Sequence, residues 1–419
     1  MNNPAMRFKR DDGTVFPDWS SSEIGNVADT CSGGTPSTSV SEYWDGPIQW
    51  LTPTEINSKY VHNSKRTITS AGIASSSAKL LPIGALLLTT RATIGSCSIN
   101  NFDGDVSTNQ GFQSLICKSS LFNEYAYYAI TRDKFQKELI KHASGSTFLE
   151  ISSKNLKKLP IPIPCLEEQQ KIASFFSTLD QKIELNERKL EALEKLKKGL
   201  LRKIFSQNIR FKNSDGTNYL EWRTARFFDI VESIIDFRGR TPKKLGLDWA
   251  PSTTEYLALS ALNVKNWGID PSAEAHYGDE KLYKKWMTGK ELHKGQVLLT
   301  TEAPAGIVMQ IPDEKKYILS QRVIALNVKQ DSISEVFLSQ LLKSEKVQQD
   351  IRKLSTGGTA IGISQKSLRN LYLYFPSSIQ EQQAIGNLFA SLDNKLQLTK
   401  KRVEKLQALK RSFMQQMFV

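Results

Sequence analysis

The sequence has little of what metal and disulfide sites are made from: four cysteines and four histidines in 419 residues. Cys31, Cys97, Cys117 and Cys165 stand far apart, and no pair has the C-x-x-C spacing of a zinc or redox site. The expectation is four reduced thiols in a cytosolic protein. Long apolar runs are also missing. The longest, Leu80–Leu88, is broken by Pro82 and Gly84, against the ~20 residues a membrane span requires. The polar stretch from Met1 to Asp12 is not expected to be a signal peptide. The motifs of DNA-acting enzymes are absent as well. Gly289-Lys290 is followed by Glu291 and lacks the upstream glycine of a phosphate loop. There is no dinucleotide fingerprint, no Asn-Pro-Pro-Tyr tetrapeptide and no G-x-S-x-G elbow. Pro312-Asp313-Glu314-Lys315 is too tight for a nuclease carboxylate cluster and reads as a polar turn. His62, His142, His276 and His293 are isolated. These absences point to binding without catalysis.

What is present is positive charge and repetition. Lys plus Arg number 56 against 43 Asp plus Glu, a net charge of +13, which favours a polyanionic partner, nucleic acid or an acidic membrane surface. With 39% hydrophobic residues there is material for real cores. The surplus is spread as +2, +2, +5 and +4 over residues 1–166, 167–206, 207–379 and 380–419. The charge therefore belongs to folded surfaces and not to a basic tail.

The chain contains itself twice. Glu168-Gln169-Gln170 recurs as Glu381-Gln382-Gln383, and at the same offset of 213 Phe176, Leu179-Asp180, Leu193, Lys197 and Phe205 meet Phe389, Leu392-Asp393, Leu406, Lys410 and Phe418. Arg7-Phe8-Lys9, Asp12-Gly13-Thr14 and Trp19 recur as Arg210-Phe211-Lys212, Asp215-Gly216-Thr217 and Trp222. Leu87-Leu88-Thr89-Thr90 recurs as Leu298-Leu299-Thr300-Thr301. Gly145, Thr147, Ile151, Ser152 and Leu156 match Gly357, Thr359, Ile363, Ser364 and Leu368.

Each copy is a large segment followed by a leucine-rich one. Residues 167–206 and 380–419 carry apolar residues at steps of three, four and seven, the narrow seam of a coiled coil. Asn186 and Lys197 break the first seam, and Thr399 and Lys410 break the second at matching positions. Leu185 and Leu196 are expected to widen the stripe. Short strands are predicted at Ala85–Thr90, Phe112–Cys117, Gln296–Thr301, Val323–Val328, Leu159–Ile163 and Leu371–Phe375. Helices are predicted at Asn123–Lys141 and Ile333–Leu354. The reading is α+β: two repeated globular domains, 1–166 and 207–379, joined by two long helices that form an antiparallel coiled coil.

At this point the chain resembles, over essentially its full length, the specificity (S) subunit of type I restriction–modification systems. The resemblance rests on Pro160-Ile-Pro-Ile-Pro164 leading to Glu167–Ala173 and Leu179-Asp180, and on Pro376 leading to Gln380–Ile385 and Leu392-Asp393. Gly34-Thr35-Pro36 and Arg240-Thr241-Pro242 add to it, as do Asn109-Gln110-Gly111-Phe112 and Ser320-Gln321-Arg322-Val323. The resemblance implies a non-catalytic, cytoplasmic subunit of a bacterial or archaeal defence system. Each recognition domain would read one half of an asymmetric bipartite site in double-stranded DNA. The helices would set the spacer and dock two methyltransferase (M) subunits, with two restriction/motor (R) subunits completing the complex. S-adenosylmethionine, ATP and magnesium would bind those partners, with no cofactor, metal or membrane on this chain. A self-contained DNA-modifying enzyme and a coiled-coil scaffold remain the alternatives.

Phosphate contacts come from Lys and Arg, base contacts from Arg, Asn, Gln, Ser and Thr in groove-facing loops. The candidates in the first domain are Thr35, Lys65, Arg66, Thr89, Thr90, Arg91, Asn109, Gln110, Ser146 and Thr147. In the second they are Arg238, Arg240, Lys243, Lys244, Thr300, Thr301, Glu302, Gln321, Arg322 and Thr359. Base-reading positions should differ between the halves. The unmatched pair Arg91 and Glu302, suited to a guanine and to a cytosine amino group, is therefore favoured over the matched threonines.

Overall fold

A computed structural model describes residues 3–91, 93–145, 149–251, 255–273, 275–356 and 361–418. The chain forms two compact units: Met1–Leu185 with Val403–Val419, and Asn186–Arg402. Both are α+β. The leucine-rich segments are two long helices, α1 (Leu166–Phe205) and α2 (Ile379–Gln416). The boundary between units falls inside each helix, so the units do not follow the sequence partition at 166, 206 and 379.

In the first unit a five-stranded sheet has the order Ala28–Ser32, Gln113–Cys117, Leu86–Leu88, Cys97–Asn100, Tyr60–Val61. A second sheet places Trp44–Leu51 between Arg66–Ile68 and Val106–Thr108. Ser20–Glu23 pairs antiparallel with Pro160–Ile163, a two-stranded ribbon in which prolines are tolerated because neither strand is central. The second unit has a four-stranded sheet, Val231–Asp236, Val323–Val328, Val297–Thr300, Val308–Gln310. Its ribbon is Trp222–Arg226 with Tyr372–Pro376.

Two helices predicted as single are each a pair. Asn123–Thr131 and Asp133–Lys141 part at Arg132, and Glu335–Lys343 and Glu345–Leu354 part at Ser344. Both junction residues are extended, with ψ of 148°, so the break is itself repeated.

Each unit's core is completed by a helix end. In the first, Met417 and Phe418 are buried beside Trp19, Tyr125 and Phe176, and Phe418 stacks on Tyr125 at 5.7 Å. In the second, Phe205 meets Trp222 edge-on at 6.1 Å and Phe337 at 6.0 Å. The main chain repeats the pattern. Met6 N–H donates to the Gln416 carbonyl at 3.0 Å, as Ile209 N–H donates to Lys203 at 3.1 Å. Burying one such phenylalanine contributes roughly 1.5–3 kcal/mol.

Seam residues Phe176, Leu179, Ile183, Phe389, Leu392 and Val403 are buried. Leu185 and Leu196 do not widen the buried stripe. They are 68% and 49% exposed, as are their counterparts Leu398 and Leu409 at 59% and 39%. The stripe is therefore as narrow as a coiled-coil seam requires.

Candidate nucleic-acid interface and its anchors

The Glu-Gln-Gln motif is a buried anchor. Glu168 and Glu381 have no solvent exposure. Arg7 grips Glu168 with Nε at 3.0 Å and a terminal nitrogen at 2.8 Å, and Trp19 Nε1 donates to the same carboxylate at 2.9 Å. Arg7 also donates to the Pro17 carbonyl at 2.6 Å. The second unit repeats each part: Arg210 reaches Glu381 at 3.4 and 3.3 Å, Trp222 Nε1 at 3.3 Å, and Arg210 donates to the Leu220 carbonyl at 2.7 Å. The hydrogen bond to Glu168 holds the Arg7 pKa above its ordinary value, and Glu381 does the same for Arg210. Gln169 accepts from Phe122 N–H at 2.8 Å and donates to the Ser120 and Pro164 carbonyls at 3.0 and 2.9 Å. Gln382 does the same with Ser334, Ser332 and Pro376. One helix turn thus fixes the angle at which each long helix leaves its domain.

The lysines that broke the seams have partners on the facing helix. Lys197 pairs with Asp393, and Lys410 pairs with Asp180 at 2.6 Å. Tyr128 donates to Asp180 at 2.8 Å, and Gln340 to Asp393 at 3.3 Å. Phe175 meets Phe413 at 5.1 Å, three residues from the Lys410 contact and running the opposite way. The pairing is antiparallel.

Lys343 stands near the Lys197–Asp393 pair and donates to the Asn266 carbonyl at 3.3 Å. Burial pushes its ammonium down to about 8, with Asp393 raising it and Lys197 lowering it. Between about pH 8 and the unfolded value of 10.5 the unfolded chain holds the extra proton, so this group makes stability rise with pH there. Lys343→Met should be more stable than the parent at pH 7, by on the order of 1–2 kcal/mol, and the gap should shrink at pH 10. Urea melts of both proteins at the two pH values check this. A gap that does not change with pH would refute it.

Some of the candidate segments meet within each unit, through Thr35 and Gln110 in the first and through Arg240, Gln321, Arg322 and Glu302 in the second, and the matched threonines are their scaffold. Thr89, Thr90, Thr300 and Thr301 are fully buried, which removes them as base contacts. Thr89 Oγ1 donates to the Thr93 carbonyl and Thr300 Oγ1 to the Pro304 carbonyl. Gly95 N–H closes on Thr89 at 3.0 Å and Gly306 N–H on Thr300 at 2.9 Å. Gln136 and Gln348 each donate to the glycine carbonyl, at 3.1 and 2.8 Å. The product is the same tight turn twice, with different residues at its tip. Exposed Arg91 pairs with Glu150 at 2.8 Å, and Glu302 with Arg322 at 3.6 Å.

Other candidates flank these tips. Thr90 N–H donates to Gly111 and Thr301 N–H to Arg322, both at 2.8 Å. Asn109 is spent on its own turn, accepting from Gly111 N–H at 2.9 Å. Thr35 donates to Gln110 at 2.5 Å, and Gln321 to the Arg240 carbonyl at 3.1 Å, so the Thr-Pro motif is tied to the same corner in both units. A Cβ on Gly33 would stand 2.1 Å from the Asn109 carbonyl, so only glycine fits this junction. Lys65 and Lys243 are exposed. Arg66 lies 3.5 Å over the Trp44 ring. Arg238 is held by Asp236 at 2.8 Å, Lys244 donates to the Gly239 carbonyl at 2.8 Å, and Arg240 turns inward onto the Trp286 carbonyl and the Phe237 ring. Ser146, Thr147 and Thr359 lie outside the described residues.

Among the described residues there is no group of three or more His, Cys, Asp or Glu side chains that could hold a metal ion. Asp313 caps a turn, accepting from Lys315 N–H and the Tyr317 hydroxyl at 3.0 Å each. All four cysteines are free thiols. No described helix is long and apolar enough to cross a membrane.

Duplicated α+β units, carrying one turn scaffold with divergent tips and anchored to paired helices, define a two-domain recognition protein. The profile of the type I restriction modification DNA specificity domain matches residues 17–195 and 219–408, and the chain belongs to that family. It is 38% identical over 238 residues to the type I restriction enzyme MjaIX specificity subunit of Methanocaldococcus jannaschii, covering 54% of either chain. It is 25% identical over 305 residues to the MjaVIII specificity subunit of the same organism, covering 69% of this chain and 68% of that one. The match to the first relative therefore spans about half of that protein's length. The fold is that of the type I restriction–modification S subunit from M. genitalium, with a TM-score of 0.67 over 100% of this chain and 99% of that one at 16% identity.

Proposed function

We propose that this chain is the DNA-reading subunit of a type I restriction–modification complex. Each unit reads one half of a bipartite, asymmetric site, and the antiparallel helices hold the two halves at a set spacing. The observation that carries the reading is the repeated turn with unmatched tips: a common scaffold presents Arg91 in one unit and Glu302 in the other. Exposed ion pairs of this kind are worth about 0–1 kcal/mol, so either side chain can leave its partner for a base edge at small cost. Two methyltransferase subunits dock on the helices and two restriction/motor subunits complete the assembly. S-adenosylmethionine, ATP and magnesium belong to those partners, and the complex works in the bacterial or archaeal cytoplasm.

The test is methylation mapping in a host carrying the complete system. Arg91→Ala should relax one half-site, with a loss of about 1–3 kcal/mol of discrimination at one base pair, and leave the other half unchanged. Unchanged specificity in both halves would remove Arg91 from the interface. The DNA complex should also weaken steeply with salt. Modification or cleavage of DNA by the purified chain alone would instead favour a self-contained enzyme.

A further inference from the structure

The second unit contains a cavity of about 480 Å³ at the corner where its Thr-Pro and Gln-Arg motifs meet. That volume lies in the ~300–1,000 Å³ range of small-molecule sites. One wall is aromatic: Trp249 stacks on His276 at 5.1 Å and 12°, and packs against buried Trp286 at 5.6 Å. The rim is cationic, with Arg240, Lys243 and Arg322 lining the cavity. Asp248 and Gln321 supply a carboxylate and an amide to the same lining. The cavity meets solvent past exposed Lys243, Leu262 and His276.

Two features mark it as built. Arg322 has φ of +64°, a left-handed conformation that a non-glycine residue adopts at a cost. Its counterpart in the first unit, Gly111, is not left-handed, so the strained backbone belongs to the second unit's corner. The first unit, conversely, fills the matching corner with main chain. Gly34 replaces Arg240 there, and a Cβ on it would stand 2.3 Å from Ala78 N.

We propose that this cavity seats a single nucleotide, with its base against Trp249 and its phosphate among Arg240, Lys243 and Arg322. A stacking face, hydrogen-bonding groups for a base edge and a cationic rim are what an unstacked nucleotide needs. An inorganic anion would not need the indole wall, and an apolar ligand would not need three cations. The nucleotide comes either from the bound duplex, rotated out of its stack, or from free solution. The inference rests on the DNA-specificity reading and adds a site in the second unit.

Two arms tell the sources apart. In the first, the full chain assembled with its methyltransferase is bound to duplex carrying the mapped site, with 2-aminopurine placed in turn at each position of the half-site read by residues 207–379. One position should brighten several-fold, and Trp249→Ala and Lys243→Glu should each abolish that signal at a protein excess that keeps the duplex saturated. Brightening that survives both substitutions belongs to the methyltransferase. In the second arm, each deoxynucleoside monophosphate is titrated against the tryptophan fluorescence of the full chain. Saturable quenching that Lys243→Glu weakens about ten-fold identifies a free nucleotide. Lys243 is exposed, so this variant keeps the test valid if Trp249→Ala fails to fold. Bound duplex with neither response overturns the nucleotide seat and leaves the specificity reading intact. Failure to bind DNA at all removes the specificity reading, and the mononucleotide arm still decides the cavity.

Discussion

Glu168→Ala is expected to destabilise the first unit by about 3–5 kcal/mol, the cost of stranding one partner of a buried ion pair. Three groups lose their acceptor at once: two nitrogens of Arg7 and the indole N–H of Trp19. Arg7 is mostly enclosed and keeps its contacts to the Phe16 and Pro17 carbonyls and a long ion pair to Asp18 at 3.9 Å. The segment from Arg7 to Trp19 should come loose from the start of α1, and limited proteolysis should cut there before anywhere else. Glu381→Ala should do the same to the second unit between Arg210 and Trp222. Its contacts are longer, 3.3–3.4 Å, so the loss should be smaller. Denaturant melts measure both. A loss below about 1 kcal/mol for Glu168→Ala would mean that water replaces the carboxylate, and the anchor would be only a packing contact.

Lys197→Glu is expected to cost about 2–3 kcal/mol in the second unit. It replaces an attraction to Asp393 with a repulsion, beside an amide that already donates to the same carboxylate. Lys197 and Asp393 are 19% and 33% exposed, so the figure is set below that of a fully buried pair. The exchanged pair Lys197→Asp with Asp393→Lys should recover most of the loss. A double-mutant cycle isolates the coupling, and a coupling near zero would reduce the pair to a tolerated seam defect. In the first unit Lys410→Glu should behave alike, because Asp180 also holds the Tyr128 hydroxyl. In the bipartite-site reading these two pairs fix register, so a slip of α1 past α2 would change the spacing between half-sites.

The long helices were legible because a seam of period three and four over forty residues admits no other structure. Val323–Val328 was legible to the residue, being a β-branched and apolar run. The breaks at Arg132 and Ser344 were not, since neither residue is a helix breaker and only the extended backbone reveals them. Thr89-Thr90 and Thr300-Thr301 attracted attention because they repeat, yet repetition marks what both units need to fold. Glu168 and Glu381 belong to a recurring motif, but their burial is not legible in the sequence, because glutamate is rarely buried. Their partners lie 161 and 171 residues away in sequence, a pairing that local pattern cannot supply. The signal available was that Arg7, Trp19, Glu168 and Gln169 all recur together as Arg210, Trp222, Glu381 and Gln382. Of the cavity's lining, Arg240, Lys243, Gln321 and Arg322 stand in candidate segments of the sequence, whereas Trp249 belongs to no repeated motif.

The helix ends that complete each core give the duplication a further meaning. The first unit is sealed by Met417 and Phe418 from the second copy, while the first copy's own helix end, Ile204 and Phe205, seals the second unit. The unit of duplication is therefore not the unit of folding. Each copy lends its final helical turns to the other, an exchange of identical elements of the kind seen between swapped protomers, here contained in one polypeptide. A half-length ancestor of this architecture could have buried Trp19 and Tyr125 only against a second copy of itself. Joined in one polypeptide, the two copies make that exchange without dependence on concentration.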